Sequence, residues 1–366
     1  MKKSLLVLAV LGAISGVTSA QTSVTIYGVV DGGLVVDRGN AAGAVAKLGT
    51  GVWSSNRLGF KGSEDLGGGL SALFQIENGF NLDTGTLGQG GLLFGRQAFA
   101  GLKGGFGTVT FGRQYTPLSW AQYTTDPFDA GSAGATYNLE EIAEHRRNNT
   151  VRYQNNVNGI IIDASYSFGE VAGNTKAGRQ IDGLVGYEGG PLSVKLGYFT
   201  KTNATDTVDT SKALLTASYN FQVATAYLQY ARNNGEGAYT NRAVSTVNPV
   251  TGLLTGAGSN NPYILAPTFD NPVRRIKNTD VMVGVTVPVG VGTARASYIR
   301  RDDRLAANQD ASQIAVGYTH PISKRTMLYA VYARMINKNG ASYTVGNSSD
   351  AGTGDKQLNL GMRHTF

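Results

Sequence analysis

Gln357-Leu358-Asn359-Leu360-Gly361-Met362-Arg363-His364-Thr365-Phe366 ends the chain. Leu358, Leu360, Met362, His364 and Phe366 form one parity that is mostly apolar, while Gln357, Asn359, Gly361, Arg363 and Thr365 form the other, polar or small. Successive side chains of a strand point to opposite faces, so this segment reads as a strand with one apolar and one polar face. Such a strand sits between lipid and water when neighbouring strands satisfy its backbone N–H and C=O groups. A soluble β-sandwich has strands of the same kind, so one segment does not decide the class. Recurrence along the whole chain, behind a secretory leader, does.

Residues 1–20 read as a cleaved signal peptide. Lys2 and Lys3 supply the charged start, Leu5 to Ile14 a short apolar run, and Thr18-Ser19-Ala20 a small-residue cleavage site. The apolar run is shorter than the roughly 20 residues that a spanning helix needs. No other stretch approaches that length, so membrane insertion falls to strands. The division is therefore a leader, 1–20, and one barrel domain, 21–366. Fifty Gly disfavour long helices and suit turns, and the absence of Cys is compatible with an oxidising compartment. Net charge is +7. In an exported β-chain that balance points to an anionic solute or lipopolysaccharide rather than nucleic acid.

Sixteen strand-like segments pair as hairpins: 23–36, 53–64, 69–81, 92–103, 107–115, 147–156, 159–168, 180–189, 191–201, 212–221, 223–233, 277–288, 292–301, 311–320, 325–336 and 356–366. Short turns such as Asp65-Leu66-Gly67-Gly68, Gly104-Gly105, Asn158-Gly159, Gly189-Gly190-Pro191 and Ser323-Lys324 supply the backbone angles of tight hairpins. The other ends carry long polar loops: 38–52, 82–91, 116–146, 169–179, 202–211, 234–276, 302–310 and 337–355. Short turns at one end and long loops at the other are expected of a barrel with its turns in the periplasm and its long loops outside the cell. The fold class is all-β, a 16-stranded antiparallel transmembrane barrel.

Parity assigns faces. Val281, Val283, Val285 and Val287 face lipid, with Asp280, Gly284 and Thr286 inward; Ile314, Val316 and Tyr318 also face out. Tyr318 and Tyr329 fit the aromatic girdles of a membrane interface. Leu58 and Phe60 outward put Arg57 and Lys61 inward, Phe99 outward puts Arg96 inward, and Val151 and Tyr153 outward put Arg152 inward. Arg146 and Arg147 compete with Arg152 for the same post. Arg113 shares parity with Val109 and Phe111 and points outward.

Several stretches resemble the general porins of Gram-negative outer membranes, especially those of β-proteobacteria. They are Val24-Thr25-Ile26-Tyr27-Gly28, Arg57-Leu58-Gly59-Phe60-Lys61-Gly62, Arg96-Gln97-Ala98-Phe99-Ala100-Gly101-Leu102, Phe111-Gly112-Arg113-Gln114-Tyr115, Ser323-Lys324-Arg325-Thr326-Met327-Leu328-Tyr329 and Gly361-Met362-Arg363-His364-Thr365-Phe366. The resemblance implies a homotrimer whose third long loop folds into the pore. It implies insertion steered by the terminal aromatic, here Phe366, which the barrel-assembly machinery recognises. It also places arginines of the second, fourth and sixth strands at the constriction, which matches Arg57, Arg96 and Arg152.

A pore selects by diameter and by the charges at its narrowest point. The basic wall is read as Arg57, Lys61, Arg96, Arg152 and Arg147, and Arg113 as a trimer-interface residue. The facing acids come from loop 116–146: Asp126, Asp129, Glu140, Glu141 and Glu144. Its tip, Asp126-Pro127-Phe128-Asp129-Ala130-Gly131, partly matches the acidic Pro-Phe-Gly pattern of the family. The expected function is passive diffusion of ions and small hydrophilic solutes with a modest anion preference. A solute-specific channel and an adhesin on the same barrel are the alternatives, and no clear aromatic slide marks a sugar-specific pore. His145, His320 and His364 lack a convincing nucleophile partner, so no enzyme is expected. No cofactor and no metal are expected either, for want of Cys and with His scattered.

Overall fold

The computed structural model describes residues 23–40, 43–140, 145–236, 246–247, 254–255 and 275–366. The leader assigned to residues 1–20, Glu141, Glu144 and most of loop 234–276 lie outside them. The strands are β1 (Ser23–Arg38), β2 (Val45–Thr50), β3 (Arg57–Gly67), β4 (Leu70–Gly79), β5 (Gln97–Gly104), β6 (Gly107–Tyr115), β7 (Arg146–Val157), β8 (Ile160–Ser167), β9 (Gln180–Gly189) and β10 (Leu192–Thr202). They continue as β11 (Asp209–Asn220), β12 (Thr225–Glu236), the two-residue pair β13 (Thr246–Val247) and β14 (Leu254–Thr255), β15 (Arg275–Val289), β16 (Gly292–Asp303), β17 (Ala311–Pro321), β18 (Thr326–Asn337) and β19 (Lys356–Thr365). One helix, α1 (Pro117–Thr124), lies in the third long loop.

Seventeen strands join one antiparallel sheet in which successive strands pair, except that β2 pairs only with β1 and β12 passes over β13 and β14 to pair with β15. β2 and β3 divide one edge of β1 between them, Gly32 to Asp37 pairing with β2 and Ser23 to Val29 with β3. They therefore occupy a single position, and the wall has sixteen. The other edge of β1 pairs with β19 from Val29↔Thr365 to Arg38↔Lys356, which closes the barrel. Closure leaves no row of unsatisfied backbone groups facing lipid. Asn158 and Gly159 form one of the tight turns with φ of 53° and 88°, the left-handed pair that a two-residue hairpin demands.

Polarity is inverted relative to a soluble domain. Leu196, Tyr198, Val283, Ile314 and Val316 are exposed on the outer face, whereas Lys212, Gln229, Asp280, Gln313, Gln357 and Asn359 are buried. That arrangement excludes a sandwich, whose core would take the apolar parity. The face assignments of 280–287 and of Ile314, Val316 and Tyr318 hold.

Four expectations are corrected. Loop 38–52 contains β2. Loop 116–146 contains α1, which Pro117 opens and Thr116 caps by accepting the Ser119 N–H. Tyr329 is no girdle residue: it is 4 % exposed, faces inward and donates to Asp31 at 2.7 Å. Phe99 faces inward, in one row with Gln75 and Gly112. Arg96 still points inward, where it is buried against Glu77 and Tyr115, because it stands just before β5 where the alternation has not begun.

The seam depends on Gly28. Its backbone exchanges two hydrogen bonds with Phe366, at 3.1 and 3.2 Å, while the Phe366 ring covers the space a side chain would take. A Cβ there would lie 2.3 Å from that ring and 2.7 Å from the Arg57 carbonyl. Gly28→Val should destabilise closure by about 1–3 kcal/mol, the usual cost of overpacking. The expected readout is a lower temperature for the heat-induced electrophoretic shift of the folded barrel. An unchanged transition would show that the seam tolerates a side chain.

Candidate functional site

The third loop leaves the wall beside a bulge in β7. Gly112 opposes Thr150 and Gln114 opposes Arg147, so Asn148 and Asn149 together stand against Arg113, and Asn149 has φ 53°. Gly112 has φ 126°, and a Cβ on it would meet the Ala98 carbonyl at 2.3 Å. A bulge of this kind re-aims the residues after it. Here it turns Tyr115 inward opposite Arg146.

Beyond the bulge, α1 presses Leu118 and Ala121 onto Leu184, Phe199, Leu214 and Ala231, with Ile161 at the edge. These wall residues are apolar yet face inward, because the loop rather than water covers them. The chain then crosses the lumen. Gln122 donates to Glu140 at 2.8 Å, Lys212 reaches both Glu140 and Gln122 at 3.1 and 3.2 Å, and Gln229 donates to the Gln122 carbonyl. On the opposite wall Asn359 accepts the Ala133 N–H at 2.7 Å, and Asn138 bonds Gln313 and Gly346. The tip is held by Phe128, 0 % exposed, against Trp53. Trp53 in turn is fixed by Asp31, which accepts its N–H and that of Ser54. Arg295 lies 5.0 Å over the Trp53 ring and donates to the Pro127 carbonyl. Both ends of the loop are thus fastened inside the barrel.

On the wall beside the loop, guanidiniums gather around one phenol. Arg96 pairs with Glu77 at 2.7 Å and donates to the Tyr115 hydroxyl at 2.9 Å. Arg146 donates to the same hydroxyl and stacks 4.1 Å over the ring. Arg57, held by the Ser55 carbonyl and the Ser54 hydroxyl, is close enough to feel both charges. Lys61 projects from the same face of β3, 5.4 Å over the Tyr27 ring. Like charges repel, and this buried group persists because Glu77 pairs with it and the Tyr115 hydroxyl accepts from two of its members.

The other candidates are placed differently. Arg152 faces inward as expected but forms a two-pronged pair with Asp163, at 2.8 Å through Nε, and donates to the Tyr115 carbonyl. Its charge is matched locally. Arg147 does not take the post beside Arg96; Arg146 does, and Arg147 donates to the Gly178 carbonyl of the next loop. Counted back from the inward Arg152 and Thr150, the even parity reaches Arg146, so alternation favours it over Arg147. Arg113 lies on the outer face, bonded to the Gly95 carbonyl and Asn148.

Two of the loop acids do not face the open pore. Asp126 accepts from the Phe128 N–H and from Thr136 through N–H and hydroxyl, all at 2.7 Å, and so braces the loop itself. Burial pushes its carboxyl up to about 6 despite those donors. Glu140 is committed to Lys212, and burial raises its pKa. Among the described loop acids Asp129 is the exposed one, with Trp53 Nε1 at 3.2 Å and Arg295 at 3.5 Å. Burial, with Arg146, Arg96 and Lys212 nearby, pushes the His145 imidazole down to about 3, so it is neutral near pH 7 and adds no charge.

Lys212→Met would strand the Glu140 carboxylate in a buried site, at a cost of about 3–5 kcal/mol for a broken buried pair. The loop should loosen on that side, giving larger and noisier single-channel currents. The double variant Lys212→Met/Glu140→Gln should recover most of the quiet current. Equal noise in both variants would argue against this anchor.

Comparison with known proteins places this architecture. Residues 7–357 match the Gram-negative porin family. The chain is 33 % identical over full lengths to outer membrane porin protein 32 of Delftia acidovorans, and equally to an outer membrane porin protein of Bordetella pertussis. Among solved structures, the anion-selective porin from Comamonas acidovorans superimposes with a TM-score of 0.72 at 30 % identity, covering 94 % of this chain and all of that one. The Salmonella typhi OmpF structure shares the fold at 17 % identity, with a TM-score of 0.66 over 94 % of this chain and 97 % of that one. A closed sixteen-position barrel, polar within and apolar without, narrowed by a fastened third loop, belongs to the Gram-negative porin family and forms a channel across the outer membrane.

Proposed function

We propose that the chain forms a homotrimer of water-filled pores for passive diffusion of ions and small hydrophilic solutes, with a modest anion preference. One observation carries the preference: Arg57, Arg96 and Arg146 converge on Tyr115, with Glu77 as their paired carboxylate. Asp126 and Glu140 are spent on bracing the third loop, so they offset little of that field. A cleft lined by one sign of charge concentrates counter-ions and repels co-ions. The related porin from Comamonas acidovorans is described as anion-selective, which favours the same reading here.

The trimer reading rests on the outer face of the first strands. Gly28, Gly32, Leu34, Leu58, Ala98, Ala100 and Leu102 present a surface of small and apolar side chains, and Arg113 lies at its margin. We read residues 1–20 as the removed leader, Phe366 as the signal for the barrel-assembly machinery, and lipopolysaccharide and lipid as the outer surroundings. Chemical cross-linking after gentle detergent extraction should give a heat-dissociable trimer. Monomer alone would overturn this part of the reading.

Selectivity has its own test. Arg57→Gln/Arg146→Gln should shift the reversal potential under a salt gradient toward cations, and the difference from the parent should shrink as salt rises and the screening length falls from about 10 Å at 0.1 M to about 3 Å at 1 M. A reversal potential unmoved by the double substitution would remove these arginines from the constriction.

A further inference from the structure

Beneath α1, on the side of the short turns, a cavity of about 680 Å³ opens between the helix and strands β5–β10. That volume lies within the roughly 300–1,000 Å³ typical of small-ligand sites. Its roof is Trp120, 48 % exposed although its helix is otherwise packed against the wall, and propped on Tyr115 at 5.7 Å. Its floor is apolar, from Ile161 and Leu184. Between them stand groups of both signs. Lys195, 5 % exposed, reaches the Thr124 hydroxyl at 3.2 Å and pairs with Glu188. Gln154 donates to Asp163 at 3.2 Å, and Asn156 offers a further amide from the same face of β7.

We propose that this cavity is a weak binding site for a neutral saccharide on its way through the channel. The argument is one of chemistry. An anion would have to displace Glu188 from Lys195, a cation would meet Lys195 and Lys103, and Asp163 is already paired with Arg152. A sugar ring has an apolar face to lay on an indole and hydroxyls that both donate and accept, which is what carboxylate, ammonium and amide groups in one ring require. A single platform rather than a slide favours brief residence, as a diffusive pore needs: binding must be weak enough to leave. The site rests on the channel reading but not on the anion preference, since its groups are separate from Arg57, Arg96 and Arg146.

The test uses the full-length protein in planar bilayers with maltotriose added from the short-turn side. The open-channel current should fall saturably, with a midpoint in the millimolar range. Polyethylene glycol of matched size should act roughly tenfold more weakly. The chain has 2 Trp, and Trp53 is 1 % exposed, so a change in tryptophan emission with the same midpoint reports on Trp120. Trp120→Ala should weaken the block by roughly tenfold, a loss typical of removing one stacking platform. Gln154→Ala/Asn156→Ala should weaken it while leaving the emission change in place at higher sugar. In the same membranes, Arg57→Gln/Arg146→Gln should move the reversal potential and keep the sugar midpoint, so failure of the site and failure of the constriction read differently. Equal block by polyethylene glycol, stronger block by phenylacetate than by maltotriose, or a midpoint unchanged in both pocket variants would overturn the proposal.

Discussion

Every backbone N–H and C=O that crosses hydrocarbon must find a partner inside the protein, and the seam between β1 and β19 is where that requirement is finally met. Without the pairing from Val29↔Thr365 to Arg38↔Lys356, two edges would face lipid with a row of unsatisfied groups each. Phe366 continues the ladder through Gly28 and covers the missing side chain there. Closure then fixes the tilt and circumference, and everything inside is arranged on a wall whose shape is already set.

Inside that wall the usual logic of burial is reversed. Charged groups such as Asp280 and Arg301, which pair through two hydrogen bonds at 2.8 and 3.0 Å, are buried by neighbouring side chains rather than by an apolar core. Asp280 has a cation for partner, whereas Asp31 and Asp126 are held by N–H and hydroxyl donors, because a buried carboxylate without donors would carry a large desolvation cost. The third loop exploits the same rule. Its apolar side meets the few inward apolar residues of β9 to β12, and its polar groups pair with Lys212, Gln229, Gln313 and Asn359. Fastened at both ends, it narrows the lumen without an independent fold. The arginines around Tyr115 share a single carboxylate, Glu77, and are less fully neutralised.

The proposed anion preference rests on this division between matched and unmatched charge. Arg152 and Asp163 cancel each other, as do Lys212 and Glu140. Arg57, Arg96 and Arg146 share one carboxylate, Glu77. A count of net charge would not distinguish these groups, since all contribute to the same +7. Geometry does, because Coulomb energy depends on separation and on how much water screens each pair.

Much of the barrel was legible in the chain itself. A period of two, short Gly-rich turns alternating with long loops and a terminal amphipathic strand are local properties, set by strand geometry and by which face meets lipid. Inward placement of Arg57 and Arg152 followed from the same alternation. Other features depended on contacts far apart in sequence. The bulge at Asn148 and Asn149 shifts the register of β7 against β6, so the inward turn of Tyr115, which shares the parity of the outward Phe111 and Arg113, could not be counted off. Tyr329 faces Asp31 from 298 residues away, and Phe99 points inward although it is aromatic and lies on a wall strand. Glu140 and Asp126 are carboxylates in a polar loop by sequence; only the folded loop, pressed against β11 and closed on Thr136, turns them from pore charges into braces. Alternation decides a face because it is a property of one strand. Pairing of charges is decided by the closed barrel, because it depends on which strands and loops that closure brings within a few ångströms.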